Sequence, residues 1–224
     1  MGEDSNIFII LGPTSSGKTS LALDLCKKFD GEIISADSRQ VCKFMDIGTG
    51  KAPVKSDIDI QVHTDHWDLN NVKVWGYDLI TPDLFFTGYD YANYALKKAK
   101  EISERGKRVF LVGGTGFYID LFTGKIKPSN VLPDMDLRSY LEQSSLKDLQ
   151  DRLKKINKDV FKNIDQKNKV RLIRAIEKEL SKNVRNEALP YIKDAKFTYI
   201  GLTGARNFLY KRADSWADEI WSGG

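Results

Sequence analysis

Gly12-Pro13-Thr14-Ser15-Ser16-Gly17-Lys18-Thr19 is the most telling segment of this chain. It has the spacing GxxxxGK[ST]. An apolar run, Ile7 to Leu11, leads into it, and an amphipathic stretch from Ser20 to Phe29 follows. Strand, glycine-rich loop and helix in that order make a phosphate loop. Its backbone N–H groups converge on phosphate oxygens, Lys18 reaches the outer phosphates, and the Thr19 hydroxyl can ligate Mg²⁺. A helix beginning at Gly17 adds the positive end of its dipole. All eight residues are therefore candidate diphosphate- or nucleotide-binding residues, and Thr19 is a candidate metal ligand.

Ile33–Ile34 and Val109–Val112 are short apolar runs bounded by turn residues, as buried parallel strands are. Tyr91, Ala92, Ala95, Leu96, Ala99 and Ile102 recur at three and four, which predicts a helix from about Tyr89 to Glu104, stopped by Gly106. Phe197 to Leu202 reads as a late strand and Phe208 to Ile220 as a last helix. Strands alternating with helices predict an α/β fold: a phosphate-loop, doubly wound parallel sheet. Two regions break the alternation. Ile58–Val62 and Val72–Tyr77, separated by Asn70-Asn71, predict a small hairpin or lid within 51–78. Residues 134–186 read as helical throughout, with Asp134 or Asp136 capping the first helix. The expected organisation is a catalytic core of residues 1–133 and 187–224, interrupted by a basic helical insertion, 134–186.

The chain has 224 residues and a formal net charge of +4. Ser144 to Asn186 holds 13 Lys/Arg against 6 Asp/Glu, so this one segment is +7 and the remainder is −3. A basic segment on a near-neutral body fits a polyanion contact, though a solvated lysine-rich face would look the same. No run of about 18 apolar residues exists, so no membrane partner is expected. Gly2 to Asn6 is polar, with no charged-then-apolar leader, and Cys26 and Cys42 form no disulfide or metal pattern. Both point to a cytoplasmic protein.

A phosphate loop does not name a reaction. Enzymes that use a γ-phosphate place an acid at the end of a central strand to hold Mg²⁺. Here Arg108 to Val112 ends in Gly113-Gly114-Thr115-Gly116. The acid that ends a strand is Asp37, after Glu32-Ile33-Ile34-Ser35-Ala36. At the carboxyl end of its strand Asp37 belongs beside the phosphate loop, where a carboxylate can join a Mg²⁺ shell or take a proton from a nucleophile. It could equally cap a helix starting at Ser38. Gly113–Gly116 lets backbone approach a ligand and presents the Thr115 hydroxyl, but a tight strand-to-helix turn uses the same letters.

The motifs together resemble those of the tRNA dimethylallyltransferase (tRNA isopentenyltransferase) family. They are Gly12–Thr19, Ile34-Ser35-Ala36-Asp37-Ser38-Arg39-Gln40, Met45-Asp46-Ile47-Gly48-Thr49-Gly50-Lys51 and Gly113-Gly114-Thr115-Gly116-Phe117-Tyr118. Asn168 to Glu177 resembles the family's arginine-rich helix, and Ile200-Gly201-Leu202 with Arg206 and Leu209 to Arg212 its late strand and helix. The likeness implies a phosphate loop that holds the diphosphate of dimethylallyl diphosphate, with Mg²⁺ on Thr19 and Asp37. The acceptor it implies is N6 of the adenine next to the anticodon of a tRNA, with Asp37 and Thr115 catalytic. Asp37, Ser38, Arg39 and Gln40 would meet the base, and Arg171 and Arg174 the RNA. A monomer is expected. The chain departs from the family pattern at Cys42, Phe44, Val74-Trp75, Val170 and Trp216. An adenylate isopentenyltransferase, a nucleotide kinase and a weakly active RNA-binding protein are the alternatives that the same residues leave open.

Overall fold

The chain builds a seven-stranded sheet in the order β3-β4-β5-β2-β6-β1-β7. The computed structural model describes residues 6–51, 58–190, 192 and 194–223. The elements run β1 (Asn6–Leu11), α1 (Lys18–Phe29), β2 (Gly31–Ser35), β3 (Ile60–Val62), β4 (Trp67–Leu69), β5 (Val72–Trp75), α2 (Gly88–Glu104), β6 (Arg108–Gly113), α3 (Gly116–Phe122), α4 (Met135–Glu142), α5 (Leu146–Ile156), α6 (Lys158–Asn163), α7 (Lys169–Leu180), β7 (Lys196–Gly201) and α8 (Arg206–Gly223). β5, β2, β6, β1 and β7 pair in parallel, while β3 and β4 extend one edge antiparallel. Among the described residues no helix is long and apolar enough to cross a membrane. The polar stretch read before the first strand lies outside the described residues, apart from Asn6.

Two compact units emerge. The first is Met1–Pro128 with Leu189–Gly224, the second Ser129–Ala188. In the first, strand alternation sorts side chains onto two faces. Ile9, Ile34 and Leu111 pack with Tyr91, Ala95, Ala99 and Ile102 of α2 and with Ile119 and Phe122 of α3. Ile10, Ile33, Phe110 and Val112 pack on the other face with Ala22, Leu23 and Cys26 of α1. Small residues on α2 (Ala92, Ala95 and Ala99, each fully buried) bring its axis close to the sheet. A capping box starts α2: Asp90 N donates to Thr87 Oγ1 at 3.2 Å, and Thr87 N donates to Asp90 Oδ2 at 2.9 Å. Each such cap is worth about 1 kcal/mol.

The 51–78 region differs from the simple hairpin or lid read in the sequence. Val72–Trp75 joins the main sheet as a parallel neighbour of β2, with Ile33 opposite Val74. Trp67–Leu69 is a further strand. Asn70 and Asn71, with φ of 51° and 65°, make the tight turn between β4 and β5, the conformation that two-residue hairpin turns demand. At three residues of mixed polarity, Trp67-Asp68-Leu69 is too short to carry a strand pattern. Residues 52–57 of that region lie outside the described residues.

The second unit is four helices around Leu141, Leu149, Leu153, Leu172, Ile173 and Ile176. Asp134, rather than Asp136, caps α4, accepting from Leu137 N at 2.9 Å. The helical reading of 134–186 fails after Leu180. There the chain extends and Val184 bridges antiparallel to Val131. Beneath α4, fully buried Glu177 accepts from Arg138 Nε at 2.8 Å, Arg138 NH2 at 2.9 Å and Asp134 N at 2.6 Å, and pairs with Arg174.

Candidate active site

β2, β6 and β1 are adjacent and parallel, so the loops at their carboxyl ends share one edge of the sheet. Those loops are the Asp37 turn, the Gly113–Gly116 turn and the phosphate loop.

The phosphate loop turns through two left-handed residues, Ser15 (φ 63°) and Gly17 (φ 88°). At its start, a Cβ on Gly12 would stand 2.5 Å from the Leu202 carbonyl oxygen, so only glycine fits against the end of β7. Gly17 caps α1 without a side-chain hydrogen bond, which leaves the first-turn N–H groups open for an anion. Lys18 Nζ folds back onto the Pro13 carbonyl at 2.8 Å. Ser16 Oγ is the one buried side-chain polar atom without a partner among the described residues, a donor fitted to a phosphate oxygen. The donor set also suits a divalent ion: the half-buried Thr19 hydroxyl takes no hydrogen bond among the described residues, and one oxygen of Asp37 is uncommitted.

Asp37 is half-buried, two residues past β2. Its Oδ1 accepts from Arg39 N at 2.9 Å, and Ser38 to Val41 form a turn. The helix-cap reading of Asp37 is thereby corrected: no helix starts there, and the carboxylate shapes an Asx turn instead. Burial lowers the Lys18 pKa, while the charge of Asp37 opposes that shift.

The glycine turn supports Asp37 directly. A Cβ on Gly113 would stand 2.2 Å from the Ala36 carbonyl oxygen, so the β6 turn and the residue before Asp37 touch backbone to backbone. Thr115 N donates to Ala36 O at 3.1 Å and Ser38 N donates to Thr115 Oγ1 at 3.1 Å. Tyr91 and Tyr118 stack at 3.7 Å, and the Tyr91 hydroxyl donates to Ser35 O at 2.9 Å. Burial, with Cys42 and Asp37 adding to it, pushes the Tyr118 hydroxyl up to about 12, so it stays protonated.

Gln40 is committed internally. Its Nε2 donates to Thr49 O at 3.1 Å and Gly50 O at 3.0 Å, and its Oε1 accepts from Ser35 Oγ at 2.6 Å. It braces the loop, whereas Ser38 and Arg39 are exposed beside Asp37. The sequence reading assigned no role to Lys51. Fully buried, it donates to Cys42 O at 2.6 Å, Asp46 Oδ1 at 2.8 Å and Asp78 Oδ1 at 2.6 Å. It thus closes the loop that follows Asp37 over residues 42–51. The remaining oxygen of Asp78 accepts from Trp67 Nε1 at 2.7 Å. The Met45–Lys51 motif was visible in the sequence, but a buried lysine gives no local signal.

In the second unit, Arg171 is well exposed, 3.8 Å from Asp165. Arg174 is occupied: it holds Glu177 and donates from NH2 to the Val131 carbonyl at 2.8 Å.

The fold and site are those of a phosphate-loop α/β protein in which one strand-end acid, Asp37, follows β2 while β6 ends without one. The chain belongs to the IPP transferase family, whose model matches residues 40–224; a second model, described as isopentenyl transferase, matches residues 5–62. It is 35% identical over 223 residues to a tRNA dimethylallyltransferase of Acetivibrio thermocellus, covering 95% of this chain and 67% of that protein. The full-length tRNA isopentenylpyrophosphate transferase of Bacillus halodurans superposes with a TM-score of 0.60 at 31% identity, covering 98% of this chain and 67% of that one. A eukaryotic dimethylallyltransferase acting on tRNA shares the fold, with a TM-score of 0.71 at 23% identity, 98% of this chain and 53% of that one being covered. The chain thus spans about two thirds of the length of its bacterial relatives.

Proposed function

We propose that this chain transfers the dimethylallyl group of dimethylallyl diphosphate to N6 of the adenine next to the anticodon in tRNA. The observation that carries the reading is that Asp37 and the phosphate loop follow the carboxyl ends of β2 and β1, the two strands that flank β6 in parallel. In this reaction the phosphate-loop amides, Ser16 Oγ and Lys18 hold the diphosphate. The N6 lone pair attacks C1 of the prenyl group, the C1–O bond breaks, and diphosphate leaves. Asp37 accepts the N6 proton, which matters because an exocyclic amine is a poor nucleophile. Mg²⁺, held by Thr19 and Asp37, would supply neutralisation of the leaving diphosphate's charge. Thr115 and Gln40 act by positioning the Asp37 turn. Ser38 and Arg39 meet the extruded base. The basic second unit holds RNA phosphates through residues such as Arg171, and Arg174 keeps that unit folded.

The test is a mass assay with Mg²⁺, dimethylallyl diphosphate and unmodified tRNA, AMP or no acceptor. A mass gain on tRNA alone, lost in Asp37→Asn, supports the proposal. A better reaction with AMP would make the protein an adenylate isopentenyltransferase. Retention of tRNA without chemistry would make it an RNA-binding protein, and fast ATP turnover a kinase.

A further inference from the structure

We propose that His63, His66 and Asp68 form a binding site for a divalent transition metal, zinc being the natural occupant, on the hairpin joining β3 to β4. These are the only two histidines of the chain, and the turn brings them together: His63 N donates to His66 O at 2.9 Å. Their rings stack at 4.5 Å with 13° between planes. His66 and Asp68 are two apart along the chain and so lie on the same side of it. Asp68 Oδ2 stands 3.0 Å from His63 Nε2 and 3.8 Å from His66 Nε2. Each of the three residues offers one ligand atom, and these all fall within 4.8 Å of one another. Zinc at about 2.0–2.2 Å from nitrogen and oxygen wants tetrahedral ligand atoms roughly 3.3 Å apart, so on binding the two rings turn out of their stack and Asp68 exchanges its contact with His63 Nε2 for the metal.

The tautomer of His66 is set for ligation. Its Nδ1 lies 2.6 Å from Asp65 Oδ1, and its Nε2 lies 2.7 Å from Lys73 Nζ. An ammonium only donates, so Nε2 carries the lone pair and Nδ1 carries the hydrogen that Asp65 accepts. A carboxylate behind one ring nitrogen, with the lone pair of the other facing outward, is the arrangement that orients zinc-binding histidines. Lys73 occupies the metal's side of the ring. On binding it swings away, and the Trp75 ring, 5.9 Å from its Nζ, is one alternative partner. Asp65 and Asp68 together offset the charge that the metal brings beside Lys73. Two imidazoles and one carboxylate select zinc, cobalt or nickel over magnesium, so this site does not compete for the ion that the phosphate loop would use.

Co²⁺ and Zn²⁺ titrations of the metal-free chain test the site. One equivalent should bind, with the visible absorption of four-coordinate Co²⁺, displaced by Zn²⁺. Both histidine ring signals should shift together in the NMR spectrum, and the melting temperature should rise with Zn²⁺ but not with Mg²⁺. His63 is 42% exposed, so His63→Gln should keep the fold by circular dichroism yet lose the cobalt absorption and bind Zn²⁺ at least tenfold more weakly. Asp65→Asn should weaken binding about tenfold, and Cys42→Ser should leave it unchanged. Histidine signals that ignore one equivalent of Zn²⁺ in the unaltered chain, or equal affinity in His63→Gln, would overturn the proposal.

Discussion

Ser38 N donates to Thr115 Oγ1 at 3.1 Å across 77 residues of chain, tying the turn that carries Asp37 to the end of β6. The hydroxyl accepts from that backbone N–H, so Thr115 holds the site in shape. We expect Thr115→Val to lower the turnover of prenyl transfer roughly tenfold and Thr115→Ser to restore most of it, with little change in the KM for dimethylallyl diphosphate. Gly113→Ala, whose Cβ would meet Ala36 O at 2.2 Å, should cost about 1–3 kcal/mol in urea unfolding.

Asp37→Asn separates charge from shape. The asparagine carbonyl can still accept from Arg39 N, so the turn survives and the melting temperature should stay within a degree or two. The lost proton acceptor should cost about 10²–10⁴ in single-turnover prenyl transfer. Full activity in the Asp37→Asn variant would remove the base from the mechanism.

Lys51 has two carboxylates and a carbonyl on a fully buried ammonium. Lys51→Met fills the space but leaves Asp78 with Trp67 alone. Because both carboxylates reach solvent, Asp78 at 23% and Asp46 at 55% exposure, we expect about 1–3 kcal/mol of destabilisation by denaturant unfolding, and lower activity at temperatures where the variant is still folded.

Arg171 and Arg174, one turn apart on α7, should behave differently. Arg171→Ala should weaken tRNA binding and reduce the slope of log affinity against log salt by about 1, with stability unchanged. Arg174→Ala should chiefly destabilise the second unit, since its guanidinium holds Glu177 and the Val131 carbonyl. Binding across a salt series and thermal unfolding separate the two.

Glu177 makes the second unit acid-sensitive. Burial pushes its carboxyl up, but hydrogen bonds from Arg138, Arg174 and Asp134 N outweigh this and hold it below the ordinary carboxylate range. A carboxyl with a depressed folded pKa stabilises fully above its unfolded value near about 4.3 and loses that contribution as pH falls through the folded one. Glu177→Gln should therefore be less stable at pH 7, by about 3 kcal/mol, and the gap should narrow below about pH 4. Urea midpoints from pH 7 to 3 check this.

What could be read in the one-dimensional chain was whatever is local. Gly12 to Thr19 specify their own loop because glycine conformations and a helix start within eight residues of one another. Ala92, Ala95 and Ala99 announce the buried stripe of α2 by spacing alone, and Asp37 announces itself as the acid ending a strand. Distant partners decided the rest. That Val72–Trp75 lies beside β2, that Gln40 and Thr115 brace the Asp37 turn and that Arg174 belongs to Glu177 all depend on contacts the letters do not show, some between segments 77 residues apart. The same holds for Lys51, a cation that only the arrival of Asp46 and Asp78 beside it makes structural. A side chain's chemistry is written in its letter, but its role depends on which groups the folded chain brings within hydrogen-bond reach, and that is settled only when the sheet order is.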